Sequence, residues 1–203
     1  MSEMTDSAPL TAETRSTSAR AGGKRERLTV AAREVLHRQG VEGTTLADIA
    51  AAADVPLGNV YYYFKTKDEL VAAAVGSHEE MMSSAFAELD NHRTPRARLK
   101  AYIRLLTEQR DLVAASGCPQ GSLCSELDKR GDALAGECAR MLAMPIDWAE
   151  QQFREMGRRD ARDLAVALIA SYQGIALLTN TFRDPEMMVR ESKRLERWID
   201  SLA

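Results

Sequence analysis

Residues 44–70 read Thr44-Thr45-Leu46-Ala47-Asp48-Ile49-Ala50-Ala51-Ala52-Ala53-Asp54-Val55-Pro56-Leu57-Gly58-Asn59-Val60-Tyr61-Tyr62-Tyr63-Phe64-Lys65-Thr66-Lys67-Asp68-Glu69-Leu70. Two short helices and a break are written here. The Thr45 hydroxyl can cap the free N–H groups of the next turn, and Asp48 three residues later completes a capping-box pair. Leu46, Ile49, Ala50 and Ala53 then recur at helical spacing. Pro56 has no N–H and disfavours a helical Val55, so a second helix starts near it and runs over about 57–64. Val60 and Phe64, four apart, can bury together. Asn59, Tyr61, Tyr62 and Tyr63 are left pointing largely outward.

Three consecutive tyrosines on so short a helix cannot all be core, because each ring carries a hydroxyl that seeks a partner. Lys65 and Lys67 follow at once, and Thr66 with Glu69 caps a further helix. An exposed polar-aromatic helix followed by lysines at a helix start suits a phosphate-lined groove. The competing reading for any single tyrosine is a packed corner of two helices. The whole arrangement of short helix, break and short helix is that of a helix-turn-helix.

Over roughly residues 24–75 the chain resembles the TetR family of transcriptional regulators. The matching positions are Gly40-Val41-Glu42-Gly43-Thr44-Thr45, Ile49-Ala50, Val55, Gly58, Val60-Tyr61-Tyr62-Tyr63-Phe64-Lys65 and Lys67-Asp68-Glu69-Leu70. The resemblance implies that Thr45, Leu57, Gly58, Asn59, Tyr61, Tyr62, Tyr63 and Lys67 face a double-stranded DNA operator. It also implies a homodimer, a near-palindromic site, a small-molecule inducer held in the C-terminal body, and a helix from Lys67 to about Leu89 whose tilt carries the ligand signal.

Composition agrees with a helical regulator. Of 203 residues 45% are hydrophobic and only 5% aromatic, with few Gly or Pro to interrupt long segments, which points to all-α. Residues 20–67 hold eight Lys/Arg against five Asp/Glu, whereas the whole chain carries −3. That asymmetry is expected of a DNA-reading head on an acidic body. Three cysteines make no closed disulfide framework and no signal peptide is visible, so a reducing cytoplasm is expected. Leu164–Leu178 reads as too short and too polar to span a bilayer, so no membrane partner is expected.

Residues 1–22, rich in Ser, Thr and Ala, are expected to form a disordered tail. Residues 23–70 read as the helix-turn-helix DNA-binding domain and 71–203 as a ligand-binding and dimerisation domain. Beyond the head, helices are expected over about 67–89, 94–114, 119–129, 132–156, 160–181 and 185–202, with the first helix of the head at 24–39 ended by Gly40. This makes about nine helices with short connections.

No catalytic constellation is legible, and neither a metal nor another cofactor is expected. His37, His78 and His92 lie apart, without metal-ligand spacing, a phosphate loop or a nucleophile elbow. Tyr102, Leu106, Gln109, Cys118, Met141, Trp148, Tyr172 and Gln173 combine large rings, adaptable sulfur side chains and polar hooks, a blend suited to an inducer cavity. Plain core packing is the competing reading for each. Cys118, between Gly117 and Pro119, should stand just before a helix start, where the dipole favours a thiolate. The stretch Gly117–Leu123 resembles a body motif of one TetR subgroup, some members of which respond to electrophiles or oxidants. Cys124, about 240° around a helix from Cys118, is poorly placed to pair with it. Ile175, Leu178, Leu195, Trp198, Ile199 and Leu202 over-supply the last two helices with apolar surface, as a four-helix dimer interface would require.

The resulting expectation is an all-α repressor released from a palindromic operator by a small molecule. The alternatives are a helical small-molecule carrier or enzyme with a vestigial head, and an activator or architectural DNA binder without a ligand.

Overall fold

The first helix of the fold, α1 (Lys24–Gly43), buries Leu28, Ala31, Ala32, Val35 and Leu36 on one stripe, as helical periodicity requires. The computed structural model describes residues 23–131 and 133–202; the tail expected over 1–22, Asp132 and Ala203 lie outside the described residues. Gly40 ends the regular part of α1, adopting φ 75° and ψ 170°, and one further turn follows it. Helix α2 (Leu46–Ala52) starts at its Thr45 cap, and α3 (Leu57–Tyr63) starts directly after Pro56 with no side-chain cap. Thr45 accepts from the Asp48 N–H at 3.2 Å, and Asp48 accepts from the Thr45 N–H at 2.8 Å. Val60 and Phe64 are both buried, closing a small core with Leu28, Ile49 and Leu70.

The long helix α4 (Lys67–Leu89) starts on the same device. Thr66 accepts from the Glu69 N–H and Glu69 accepts from the Lys65 N–H. Its buried positions, Leu70, Val71, Ala74, Val75, His78, Met82, Phe86 and Leu89, pack first on α1 and then on α8. The body then follows as α5 (Pro95–Glu108), α6 (Arg110–Ser116), α7 (Pro119–Asp128), α8 (Ala133–Glu155), α9 (Ala161–Phe182) and α10 (Pro185–Ser201). All nine expected helices are present, and the described residues are all-α. The helix expected over 94–114 is divided at Gln109, whose ψ of 8° closes one segment and opens the next, so ten segments result.

The aspartates that precede the last two helices behave differently. Asp160 makes no side-chain cap on α9; its carboxylate is engaged by Arg158 at 3.0 Å. That ion pair holds the Asp160 carboxyl below its usual range. Asp184, one residue before α10, does cap, accepting from the Met187 N–H. Helix α9, with a mean hydropathy of 1.4 over its apolar window, is long and apolar enough by composition to cross a bilayer, contrary to the expectation for Leu164–Leu178. Its Ala165, Leu168, Ile169, Tyr172, Ile175 and Ala176 are nevertheless spent inside the body core, against α6, α8 and α10. It is a packed helix with one face left open.

His78 marks the junction between α1 and α4. It is buried, its Nδ1 has no partner, and desolvation, then the charges of Arg33 and His37, lower its pKa to about 4. Unfolding restores an ordinary value near 6.5, so the unfolded chain binds the extra proton between those limits. The neutral histidine therefore favours folding fully above about pH 6.5. On acidification to about pH 4 the fold is expected to lose on the order of 3 kcal/mol through this group. His78→Gln should remove most of that slope in urea titrations between pH 7 and 4.5; an unchanged slope would assign the acid sensitivity elsewhere.

Candidate functional site

The exposed side of α2–α3 carries the first site. Tyr62 is 78% exposed, Tyr61 50% and Leu57 43%, values far above those of tyrosines or leucines held for packing. Thr45 and Gly58 are exposed as well, while Asn59 and Lys67 are half-buried. A Cβ placed on Gly58 would meet no atom within 4 Å, so the bare backbone there is not required by the chain's own packing. Tyr63 differs from its neighbours. It is half-buried against the core, and its ring meets Tyr62 edge-on at 5.0 Å. The Thr45 hydroxyl is committed to Asp48, donating at 2.6 Å, so Thr45 serves first to set the start of α2.

Helix α3 is held in this presentation from behind. The Arg25 guanidinium lies 4.9 Å from the centre of the Phe64 ring, a cation–π contact between the start of α1 and the end of α3. Lys65 folds back on the Tyr61 carbonyl. The face is thus a short rigid helix with two tyrosine hydroxyls, an amide and a lysine at the adjoining helix start. Such a surface can donate to phosphates through Tyr and Lys and read a base edge through Asn.

The second feature is an open cavity of about 770 Å³ between α7, α8 and α9. Of the eight residues expected to line an inducer site, Cys118 and Gln173 are in its wall. The others lie elsewhere. Trp148 stacks on Phe86 at 4.9 Å and meets Tyr102 at 5.4 Å, a closed aromatic cluster whose indole N–H reaches Asp90. Met141 is fully buried, Tyr172 and Leu106 pack in the core, and Gln109 is exposed at the break after α5. Burial pushes the phenols of Tyr102 and Tyr172 up, which keeps both neutral. The cavity is bounded instead by Gly121, Ser122, Ser125, Asp128, Ala135, Ala139, Leu142, Leu177 and Asn180, with Cys124 and Cys138. No periodicity singles these out, because small residues make space by their absence of bulk.

Cys118 does stand at the start of α7. Its sulfur accepts from the Gly121 N–H at 3.5 Å and the Gln173 amide at 3.7 Å. The preceding Gly117 has φ 81°, and its carbonyl accepts from His37 Nε2 at 2.8 Å.

One contact escaped sequence reasoning altogether. The Val41 N–H, just past the Gly40 kink, donates to the Glu126 carboxylate at 2.6 Å. A Cβ on Gly40 would come within 2.7 Å of that same carboxylate and displace it, and the positive φ favours glycine there. Arg130, two residues beyond α7, pairs bidentately with Asp68 at the start of α4, at 3.0 and 2.8 Å. Helix α7 therefore forms one wall of the cavity and grips Val41 through Glu126, while the residues flanking it, Gly117 and Arg130, hold His37 and Asp68. Among the described residues no group of His, Cys, Asp and Glu is arranged to hold a metal.

Residues 28–74 match the family described as "Bacterial regulatory proteins, tetR family". The HTH-type transcriptional regulator LmrA of Bacillus subtilis is 26% identical over 171 residues, covering 80% of this chain and 89% of its own. The HTH-type transcriptional repressor DhaR of a Mycobacterium species is 29% identical over 171 residues, covering 80% and 85%. A crystallised TetR transcriptional regulator from Legionella pneumophila, 17% identical, superposes with a TM-score of 0.78 over 89% of this chain and 97% of its own, which shows the shared fold. These relatives are regulators rather than enzymes. Together with the helix-turn-helix geometry, they show a DNA-binding transcriptional regulator whose residues 28–74 form a TetR-family head.

Proposed function

We propose that the protein is a homodimeric repressor, acting in the cytoplasm, that leaves a near-palindromic operator when a small molecule occupies the cavity between α7, α8 and α9. Residues 23–70 act as the DNA-binding domain and 71–203 as the ligand-binding and dimerisation domain. The observation that carries the reading is the double role of α7, cavity wall on one side and partner of Val41 on the other. A ligand that displaces α7 loosens or re-aims the helices that carry Tyr61, Tyr62 and Lys67. Operator binding and ligand binding then oppose each other by the same factor in both directions.

The dimer is assigned to α9, with α10 flanking it. Val166, Leu177, Leu178 and Phe182 are 45–66% exposed on α9, a large apolar strip for a soluble chain. Leu195, Trp198 and Ile199 of α10 are taken up inside the protomer instead, Trp198 against Phe153. Leu177 belongs both to the strip and to the rim of the cavity, so a ligand there bears on the spacing of the two heads.

Selection of bound genomic fragments tests the DNA half of the reading. The fragments should share a near-palindrome with half-sites on one face of the duplex. Compounds processed by the products of adjacent genes are then added to the complex; if none of them releases it, the inducer half is lost. Tyr62→Ala and Lys67→Ala should each weaken operator binding by about 10-fold or more while the dimer stays folded. Lys67→Ala should also reduce the slope of log affinity against log salt by about one unit, and Asn59→Ala should relax base preference. Wild-type affinity in both the Tyr62 and Lys67 variants would remove this face from the interface.

A further inference from the structure

Three thiols share one cavity, and two of them touch. Cys124 on α7 and Cys138 on α8 both line it, both are nearly inaccessible from bulk solvent, and neither is in a disulfide. The Cys124 thiol donates to the Cys138 carbonyl oxygen at 3.4 Å, which brings the two cysteines together where α7 packs on α8. We propose that Cys124 and Cys138 form a dithiol modification site for small hydroperoxides, closing to a disulfide that ties α7 to α8.

The two sulfurs are not equivalent. The Cys124 S–H is engaged by the Cys138 carbonyl, which with burial raises its thiol and keeps its proton in place. The neighbouring Cys124 thiol lowers Cys138, against burial and then the charges of Glu137 and Glu79. Cys138 is therefore the nucleophile and Cys124 the resolving thiol. In the first step the Cys138 thiolate attacks the peroxide; an S–O bond forms, the O–O bond breaks, and the alkoxide leaves and is protonated to the alcohol. In the second, the Cys124 sulfur displaces hydroxide from the Cys138 sulfenic acid, and the Cys124 proton leaves with it as water. Two thiols give up two electrons and the peroxide takes both. The cavity supplies the route for a small oxidant that bulk exposure does not.

Closing the bond shortens the sulfur–sulfur separation to about 2.05 Å and requires a sulfur–sulfur dihedral near 90°. Closure pins α7 to α8 at this point, and Glu126, two residues from Cys124, is held to the geometry the bond imposes. That regulatory consequence rests on the reading of α7 as the link to the head; the thiol chemistry does not.

The test uses the full-length protein, treated with hydrogen peroxide and read by mass spectrometry. The expected result is loss of two hydrogens, a Cys124–Cys138 linked peptide and reversal by dithiothreitol. Cys124→Ser should accumulate a dimedone-trappable sulfenic acid at Cys138, and Cys138→Ser should form no linked peptide. The alanine variants serve if a serine variant does not fold. Oxidation confined to Cys118, or linkage of Cys118 to either residue, overturns the dithiol and leaves the ligand reading intact. Cross-linked protein that still holds its operator with unchanged affinity leaves the dithiol standing and overturns the coupling through α7.

Discussion

Leu178→Asp is expected to yield a folded monomer that no longer holds its operator. Leu178 is 47% exposed in the protomer, so the substitution leaves the core intact, while an unpaired carboxylate in an apolar interface is costly. Losing the second half-site takes binding from the specific toward the non-specific range, a fall of at least about 100-fold. Ile175→Asp gives the contrast. Ile175 is only 6% exposed and packs inside its own chain, so a charge there should unfold the protein rather than divide the dimer. Sedimentation equilibrium and far-ultraviolet circular dichroism separate the two outcomes. A Leu178→Asp protein that stays dimeric would move the interface away from this part of α9.

Phe64→Ala should abolish DNA binding by a different route from its neighbour Tyr62→Ala. Phe64 is 2% exposed, and its ring receives the Arg25 guanidinium. Removing it leaves a cavity in a core too small to collapse, at a cost of about 3–5 kcal/mol, and frees α1 from α3. Tyr62, 78% exposed, contributes little to that core. The expected signature is a large loss of melting temperature in Phe64→Ala and almost none in Tyr62→Ala, with operator binding weakened in both. Equal melting temperatures would show that Phe64 does not hold the head together.

What was legible in the sequence follows from range. The starts of α2, α4 and α5 could be read because Thr45, Thr66 and Thr94 each bond a backbone N–H three residues away. The outward tyrosines were legible for the same reason: one short helix cannot bury consecutive rings. The break at Gln109 left no trace, since no Gly or Pro stands there and the turn is set by packing of α5 and α6 on α10. The cavity between α7, α8 and α9 was not legible because large rings, not small residues, drew the reading of the body. Tyr102 and Trp148 instead satisfy one another and Phe86, leaving space beside Gly121, Ala135 and Ala139. Attention to Cys118 and Cys124, near in sequence, passed over Cys138, which lies beside Cys124 only once α7 and α8 pack.

The contact at Gly40 also bears on exchanging parts between regulators. The Glu126 carboxylate grips a backbone N–H, so the docking does not depend on which side chain stands at 41, but a side chain at 40 would push that carboxylate aside on a backbone of positive φ. A recognition segment transplanted from another regulator onto this body would seat only if it brought a glycine with positive φ at that point. A graft lacking it would meet the carboxylate head-on, and the chimera would fold in two halves that no longer speak to each other.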